Sequence, residues 1–292
     1  MAKPKKITQK NKPTKPATSR HGHSLLVAVV CFLLTTITVQ QFLGSPEYSR
    51  RHRTGSVNLG GLDAHSAEPQ RRSKKPATVS TRPVAPLEAW HGPLQPLRIA
   101  AGPPPVITTV PTTEPVVFVT IDDGWVQTLE NHDWLVSHHL PFSLFLSEAG
   151  VRNNHQYFQD LQSAGMTIQD HTVNHPSLAK LNLLAQQAEI CGAADSYQNV
   201  FHHRPTLFRP PYGIFNALTQ QASAACGMKA IVMWRATMQN GALQYQDNNT
   251  GLKAGDIVLM HFQPDLVANM QALAVELDKE HFQVAHLEDW LK

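Results

Sequence analysis

Two adjacent aspartates, Asp122 and Asp123, stand at the end of an apolar run that begins at Val116 and are followed by Gly124. A buried strand that ends in two acids places charge where burial is costly unless the charge is paired or binds a metal. Acids at the carboxyl ends of strands are typical of sites in α/β proteins. The same residue types also form ordinary turns, so this stretch alone leaves a turn and a site equally open.

Two histidines, His171 and His175, directly follow a second predicted strand at 166–169. Residues four apart lie on one face of a helical turn, so both imidazoles can reach one divalent cation. The chain has 16 histidines, and such a pair also arises by chance, which leaves solvated histidines as the alternative. If the pair shares a sheet edge with Asp122 and Asp123, two imidazoles and one carboxylate form a three-ligand set with open positions. Such a set is typical of a catalytic metal site rather than a closed structural one.

Two further stretches bring an arginine and a third histidine. The stretch 209–213, which reads Arg-Pro-Pro-Tyr-Gly, predicts a rigid loop after a short strand, because adjacent prolines exclude a helix interior. Such a loop can hold the guanidinium of Arg209 against a carboxylate and direct a backbone N–H into a site. A proline-rich turn with a solvated arginine is the alternative. The apolar run 256–260 ends in His261, a residue type suited to proton donation near neutral pH.

Beyond residue 113, short apolar runs alternate with helical patterns. This alternation favours one α/β domain over 114–292 with a largely parallel sheet, open or barrel-shaped. Strands are predicted at 116–120, 142–146, 166–169, 230–234 and 256–260, and around Val284. Helices are predicted at 126–138, 154–164, 183–200, 216–225 and 265–279. The carboxyl edge of the sheet would gather the acids and imidazoles.

Residues 1–113 differ from the rest of the chain in charge. They carry 16 Lys and Arg against 4 acids, whereas 114–292 carry 9 against 18. Because the basic residues lie outside the predicted domain, the net charge of +3 does not indicate nucleic-acid binding. We expect a basic cytoplasmic tail at 1–23, a transmembrane signal anchor at 24–44 and a disordered, Pro-rich and basic linker at 45–113.

The predicted anchor would hold an exported domain at the cell membrane. Its charge-free stretch is roughly long enough to cross a bilayer, and the seven Lys and Arg before it favour a cytoplasmic N-terminus. Good small-x-small cleavage sites do not follow it, so an uncleaved anchor is favoured over a cleaved signal peptide and a secreted product. Of the three cysteines, Cys31 lies in this segment. Cys191 and Cys226 either form a disulfide, if the domain is exported, or remain two buried thiols.

Taken in order, the four stretches resemble the polysaccharide deacetylases, the NodB-homology domain of carbohydrate esterase family 4. The family pattern has a Thr-Phe-Asp-Asp-Gly block, a His-Ser/Thr-x-x-His block, an Arg-x-Pro-Tyr-Gly block and a late Leu-x-His. These blocks stand here at 120–124, 171–175, 209–213 and 259–261. The resemblance covers about residues 114–292 and implies a distorted (β/α) barrel. It also implies a metal-dependent hydrolase that removes N-acetyl groups from N-acetylglucosamine units of a cell-wall or chitin-like polysaccharide.

The resemblance implies a catalytic role for four of the matched residues. Asp122 would be the general base that takes a proton from the attacking water. His261 would be the general acid that protonates the departing sugar amine. Arg209 would orient Asp122, and the backbone N–H of Tyr212 would stabilise the oxyanion of the tetrahedral intermediate.

The resemblance further implies a metal and contacts with the substrate. The implied ion is divalent, with Zn²⁺ favoured and Co²⁺ or another transition metal as alternatives, and its ligands would be Asp123, His171 and His175. Leu259 would contact the acetyl methyl group. Three more residues are assigned to substrate binding: Trp234, Pro211 and Trp125. Trp125 stands where the family often has proline, and a role in packing is the alternative for it.

The chain departs from the family pattern in the block that usually reads Trp-x-x-Asp-x-x-Asp-Trp. Trp234 fits, but Thr237 and Asn240 stand in place of the two acids and Gly241 in place of the second aromatic residue. In the family the first of these acids helps to orient and charge the catalytic histidine, so His261 either is less favourably tuned for proton transfer or has another partner. Two alternatives to the deacetylase therefore stay open. One is a catalytically weak domain that binds wall glycan, and the other is an O-acetyl esterase on the same scaffold.

Overall fold

The computed structural model describes residues 86–248 and 250–292. Strands and helices alternate along this part of the chain. The strands are β1 (Val106–Ile107), β2 (Val116–Asp123), β3 (Ser143–Leu146), β4 (Thr167–Asp170), β5 (Leu207–Phe208), β6 (Ala230–Val232), β7 (Ala236–Gln239), β8 (Ala242–Tyr245), β9 (Ile257–His261) and β10 (Gln283–Val284). The α-helices are α1 (Leu129–His138), α2 (Glu148–Val151), α3 (His155–Ser163), α4 (Leu183–Phe201), α5 (Ala217–Ala225), α6 (Leu266–Glu280) and α7 (Leu287–Trp290). Single 3-10 turns lie at Leu178–Lys180 and Pro211–Gly213.

The strands form one curled sheet in which parallel pairing predominates. Its order is β1-β6-β5-β4-β3-β2-β9-β7-β8, and β10 pairs with the start of β2. Among the strands of the described residues, β7 and β8 are the one antiparallel pair. An antiparallel bridge between Thr109 and Asp256 joins the residues after β1 to the start of β9 and so curls the sheet. The prediction of an α/β fold with barrel-like curvature is therefore confirmed for this part of the chain.

Strand β2 lies inside the sheet between β3 and β9, and its side chains alternate between two apolar regions. Val117 and Val119 pack into the cluster that lies between the sheet and its helices. Phe118 belongs to the cluster on the concave face, where its ring meets that of Trp290 at 5.7 Å between centroids. Trp290 ends α7, so the C-terminal helix fills the amino end of the curled sheet. By the same alternation Asp122 faces the concave side, at the opposite end.

The described fold begins before the predicted domain boundary. Residues 86–113 were assigned to the disordered linker, yet Trp90 donates its backbone N–H to Val284 at 2.7 Å and β1 pairs with β6. Ile107 and Val110 are buried in the concave cluster. Prolines break this segment into short pieces, which hides its apolar positions from a composition argument. The pieces still pack along the sheet and the C-terminal residues. Only the remainder of the predicted linker, 45–85, lies outside the described residues.

The strand pair β7–β8 was not predicted from the sequence. Its two connecting residues are Asn240 and Gly241, with φ angles of 52° and 72°. Two successive residues with positive φ form the type I′ turn that best fits the twist of a two-stranded hairpin, and Asn-Gly is its preferred sequence. The N–H of Gly241 also donates to Oδ1 of Asn269 at 2.8 Å. The residues that depart from the family pattern therefore build a hairpin in this chain.

Cys191 in α4 and Cys226, directly after α5, form a disulfide whose Cα atoms are 4.9 Å apart. Of the two predicted alternatives, two separate thiols are therefore excluded. The link joins the two helices that cover the β4–β5–β6 part of the sheet and adds to the apolar cluster around Ile190 and Met228.

Removing this cross-link should destabilise the domain. The bond closes a segment of 35 residues, for which chain entropy in the unfolded state gives about 3–4 kcal/mol. We expect the double variant Cys191→Ala/Cys226→Ala to lose about that much free energy of unfolding in urea. As a control, dithiothreitol should destabilise the wild type to the same extent and leave the double variant unaffected. Equal stability of variant and wild type under oxidising conditions would contradict this expectation.

The predicted tail at 1–23 and the predicted signal anchor at 24–44 also lie outside the described residues. In the ranges 86–248 and 250–292, no helix combines the length and the apolar character that a bilayer span requires.

Candidate active site

The carboxyl end of β2 is a tight turn that brings two successive acids to one place. Asp123 has φ 80°, and the N–H of Gly124 donates to the carbonyl of Asp122 at 3.2 Å, which makes a γ-turn. Gly124 has φ 88°, and a Cβ there would lie 2.8 Å from Val151, so only glycine fits. In a regular strand the two carboxylates would point to opposite faces. Here both lie within 4.0 Å of the Nε2 atom of His171, at 3.8 and 3.5 Å.

Two histidines reach this turn from the loop after β4. Thr172 and His175 have φ angles of 73° and 56°, so the loop is not the regular helical turn from which their common face was predicted. It nevertheless brings the Nε2 atoms of His171 and His175 to 3.1 Å from each other. These atoms lie 3.5 and 3.2 Å from Oδ1 of Asp123. Asp123, His171 and His175 thus form the group that the sequence predicted.

The geometry of this group fits a divalent cation. His171 donates its Nδ1–H to the carbonyl of Arg209 at 2.7 Å, so its Nε2 carries a lone pair directed at the group. The three possible ligand atoms, one from each residue, lie within 4.8 Å of one another, which is close enough to hold one cation. Zinc–nitrogen bonds of about 2.0–2.1 Å place tetrahedral ligands roughly 3.3 Å apart, close to the separations found here.

The second carboxylate, Asp122, is held by a buried arginine. Asp122 is 2% exposed, and its Oδ1 accepts a hydrogen bond from Nη1 of Arg209 at 2.6 Å. The same nitrogen donates to Oγ1 of Thr120 at 2.8 Å, while Nε and Nη2 donate to the carbonyls of Val232 and Met233. Because these bonds fix the guanidinium, the Asp122 carboxylate has one defined orientation. Its Oδ2 stays directed at the histidine side of the site.

Burial and pairing shift the pKa values of two groups in the site. Burial raises the pKa of Asp123, but hydrogen bonds from His171 and His175, together with charge from His171 and His261, outweigh it and lower the pKa well below its usual range. Burial lowers the pKa of the Arg209 guanidinium, and the charge and hydrogen bond of Asp122 oppose this effect. Asp123 therefore remains an anionic ligand, and the Arg209 guanidinium is paired with the Asp122 carboxylate rather than left as an isolated buried charge.

His261 lies beside Asp122 in the sheet. The register of β2 and β9 pairs Asp122 with His261 and Thr120 with Leu259. Leu259 is thus one step below His261 on the same face, and it is 3% exposed. Among the described residues, none forms a hydrogen bond with the His261 imidazole. Thr237, which replaces the family's acid, pairs with Leu259 across β7 and β9.

The loop after β5 closes the other side of the site. Tyr212 has φ 62°, and no described residue accepts a hydrogen bond from its N–H. Its ring packs edge-on against the imidazole of His175 at 4.7 Å between centroids and is 64% exposed overall. Gly213 has φ 68°, and a Cβ there would meet the indole of Trp234 at 2.9 Å. The loop therefore depends on glycine at 213 and leaves one backbone donor free near the histidines.

The remaining predicted substrate contacts differ in their surroundings. Trp125 is 49% exposed and lies over Gly150, with an open face beside the turn of Asp123. Trp234 is half-buried, and its ring centroid lies 5.6 Å from the guanidinium carbon of Arg209. Pro211 is buried in its 3-10 turn, so it stiffens the loop and offers little surface to a substrate. Trp125 alone among these three has a large exposed face.

Three residues of the site were given no role in the sequence analysis. Thr120 bonds to Arg209, and Phe145 lies under the guanidinium at 4.3 Å from its ring centroid. Asp170 is fully buried behind the histidine loop, and burial raises its pKa well above the usual range. Strand alternation places Thr120 on the face of Asp122, which is a signal the sequence does contain. The position of Phe145 depends on the order of the strands in the sheet, and the sequence contains no local signal for that order.

Each of the two histidines should be required for tight metal binding. We expect His171→Ala and His175→Ala to lower the affinity for Zn²⁺ by at least the roughly 10- to 100-fold that follows from losing a residue that only orients a ligand, because each removes one of three ligands. Competition with a chromogenic chelator measures the change. His138→Ala, an exposed histidine at the end of α1, is the control and should bind zinc as the wild type does. Unchanged zinc stoichiometry and affinity in both ligand variants would refute the ligand set.

Comparison with known proteins identifies relatives. The family model described as polysaccharide deacetylase matches residues 109–231. An uncharacterized protein of Streptomyces coelicolor is 36% identical over 193 residues, which cover 64% of this chain and 78% of that protein. A chitooligosaccharide deacetylase of Sinorhizobium fredii is 27% identical over 189 residues, covering 57% and 83%. The solved structure of a family 4 carbohydrate esterase from Streptomyces lividans in complex with acetate has a TM-score of 0.50 at 25% identity, covering 58% and 91%.

Proposed function

This chain belongs to the polysaccharide deacetylase family, and we propose that it hydrolyses N-acetyl groups on N-acetylglucosamine units of a polysaccharide and releases acetate. The observation that carries the proposal is the juxtaposition of two differently held acids. Asp122 is paired with Arg209 at 2.6 Å, whereas Asp123 faces His171 and His175. One acid is thus available for proton transfer and the other for metal binding.

A divalent ion held by Asp123, His171 and His175 would polarise the acetyl carbonyl and make a bound water more acidic. We favour Zn²⁺, because one carboxylate and two imidazoles suit it.

Asp122 is placed to act as the general base. Arg209 occupies its Oδ1, so Oδ2, which lies 3.8 Å from Nε2 of His171, is the atom that takes a proton from the attacking water. General-base assistance of this kind contributes roughly 10²–10⁴ in rate. Since Arg209 also bonds to Thr120 and to two backbone carbonyls, the base is fixed before the substrate arrives.

Tyr212 and His261 act after the water attacks: Tyr212 stabilises the oxyanion, and His261 protonates the leaving group. The free N–H of Tyr212 donates to the oxyanion that forms when water adds to the carbonyl. His261, next to Asp122 in the sheet register, donates a proton to the departing amine. Leu259 lies one step below on the same face, where it contacts the acetyl methyl group. Trp125 offers its exposed face to a sugar ring.

An O-acetyl esterase is the second candidate, and the surroundings of His261 favour it. No described residue hydrogen-bonds its imidazole, and Thr237 stands where an acid is expected. Expulsion of an amine requires protonation, whereas an alkoxide leaves more readily. A site with a weakly supported acid therefore serves an ester better than an amide. The name of the Streptomyces lividans carbohydrate esterase is consistent with this chemistry on the same fold.

Acetate release separates these candidates. The protein is freed of metal, reloaded with Zn²⁺ or Co²⁺ and incubated with a chitooligosaccharide, with peptidoglycan and with acetylated xylan. We expect metal-dependent release from at least one of the first two substrates. Release from acetylated xylan alone would favour the esterase. No release from any of the three, with glycan binding retained, would overturn both enzymatic candidates and leave a glycan-binding domain.

We place this activity outside the cytoplasm, on a domain tethered to the cell membrane by residues 24–44. The Cys191–Cys226 disulfide supports export, because such bonds persist in oxidising compartments. The composition of 1–44 supports the tether. Protease digestion of intact and permeabilised cells tests both points. In intact cells whose outer layers admit the protease, we expect the domain to be digested. A domain that is digested only after the cell membrane is permeabilised would contradict the proposed orientation.

A further inference from the structure

We infer that Asp170 is a positioning residue that sets up the metal-binding loop through its side chain. Asp170 ends β4, directly before His171, and is fully buried. Its carboxylate accepts a hydrogen bond from Thr172 and forms none with the side chains of the three proposed ligands. The inference rests on the proposed function only in requiring that this site bind a divalent ion.

The first step is a hydrogen bond that holds an unfavourable backbone. Oδ1 of Asp170 accepts the N–H of Thr172 at 2.8 Å, a bond from residue i to i+2 of the kind that Asp and Asn make in turns. Thr172 has φ 73°. This conformation is rare for a β-branched residue and costs about 1–3 kcal/mol unless the surroundings enforce it. Without the carboxyl group, the turn would relax.

The second step connects this turn to His175. Oγ1 of Thr172 accepts the N–H of His175 at 3.0 Å, and His175 itself has φ 56°. The bond fixes the direction in which the chain presents the imidazole of His175. The side chain of Asp170 therefore determines the placement of the distant histidine through Thr172.

The third step connects Asp170 to the nearer histidine. The carbonyl of Asp170 accepts the N–H of Arg209 at 2.9 Å, and the carbonyl of Arg209 accepts Nδ1–H of His171 at 2.7 Å. Asp170 is thus connected to both imidazoles by hydrogen bonds. Its side chain leads to His175 through Thr172, and its main-chain carbonyl leads to His171 through Arg209. Only the side-chain route can be removed by substitution, so His175 is the ligand that a change at Asp170 should release.

The two oxygens of Asp170 are not equivalent, which suggests the diagnostic substitutions. Oδ2 has no hydrogen-bond partner among the described residues, whereas Oδ1 carries the bond to Thr172. Asp170→Asn keeps an oxygen acceptor at that position, and Asp170→Leu keeps the branching at Cγ but carries two methyl groups and no acceptor. Loss of residues that orient metal ligands typically lowers metal affinity 10- to 100-fold. We expect that loss for Asp170→Leu and a change of less than about threefold for Asp170→Asn.

The experiment measures the Zn²⁺ dissociation constant of the whole purified chain by competition with a chromogenic chelator, together with the melting temperature of the metal-free form. Asp256→Asn is the matched control, because Asp256 is also buried, at 1% exposed, but pairs with Arg235 away from the site. It should lower the melting temperature and leave zinc affinity unchanged. Wild-type affinity in Asp170→Leu, or an equal loss in Asp170→Asn, would overturn the inference.

A second set of variants keeps the inference testable if Asp170→Leu does not fold. Glycine adopts positive φ freely and has no Oγ1, so a Thr172→Gly background removes both the strained backbone that Asp170 holds and the bond through which Thr172 reaches His175. In this background Asp170→Ala should lower zinc affinity less than it does in the protein that retains Thr172. Equal losses in the two backgrounds would contradict the role of the hydrogen bond between Asp170 and Thr172. Zinc binding without acetate release would refute the proposed function and leave this inference standing. Absence of zinc binding by the wild type would refute the ligand set and the inference with it.

Discussion

Asp122→Asn should remove nearly all turnover while the protein keeps its metal. Asparagine can still accept a hydrogen bond from Arg209 through Oδ1, so the hydrogen bond that measures 2.6 Å in the wild type is kept, without the negative charge. It cannot accept a proton from water, and loss of a general base lowers the rate by roughly 10²–10⁴. We therefore expect kcat for acetate release to fall by about a thousandfold. Zinc content, measured by inductively coupled plasma mass spectrometry, should stay near one equivalent.

Asp123→Asn is the matched control for this prediction. The two substitutions are chemically identical and lie one residue apart, but Asp123 is 3.2 Å from Nε2 of His175 and has no bond to Arg209. Its pKa is lowered by the two histidines, which shows that they favour its charged form. We expect Asp123→Asn to lose zinc affinity as well as activity. If Asp122→Asn loses the metal and Asp123→Asn retains it, the two acids have been assigned the wrong way round.

The roles of these acids illustrate how far the sequence can lead. The residue types and the apolar run before them predict both a turn and a site, and the structure contains both. The γ-turn at Asp123 is the device that brings successive carboxylates together, because strand alternation would separate them. A turn with positive φ at an aspartate is not readable from Asp-Asp-Gly, since commoner turns share that composition. The division of labour therefore followed only from the resemblance.

Elements with strong periodicity were predicted well, and those built by pairing were not. The predicted strand at 256–260 and the predicted helix at 183–200 lie within a residue or so of β9 and α4. β1 has two residues and exists because β6 offers an edge, and such pairing has no local signal. The β7–β8 hairpin did carry a local signal, Asn240-Gly241. That signal was interpreted only as a departure from the family pattern, although Asn-Gly is the preferred sequence for this turn.

The strongest effect on stability is expected at Arg209. Its guanidinium is fully buried and makes four hydrogen bonds, one of them to Asp122, which is 2% exposed. Arg209→Met removes the cation and leaves the Asp122 carboxylate buried without a partner. Breaking a buried ion pair in this way costs about 3–5 kcal/mol. We expect that loss in urea unfolding of the metal-free protein, because a bound cation would partly replace the lost charge. Acetate release should fall as well, since the base is no longer oriented.

A double variant distinguishes the unpaired charge from the lost packing. In Asp122→Asn/Arg209→Met both charges are absent, so this protein should be more stable than Arg209→Met alone, although one more native residue has been removed. Arg204→Met is the surface control: Arg204 pairs with the exposed Asp195, and such pairs contribute about 0–1 kcal/mol. If the double variant is less stable than Arg209→Met, the cost lies in the contacts of Arg209 with Phe145 and the backbone carbonyls. The charge of Asp122 would then be satisfied by groups other than Arg209.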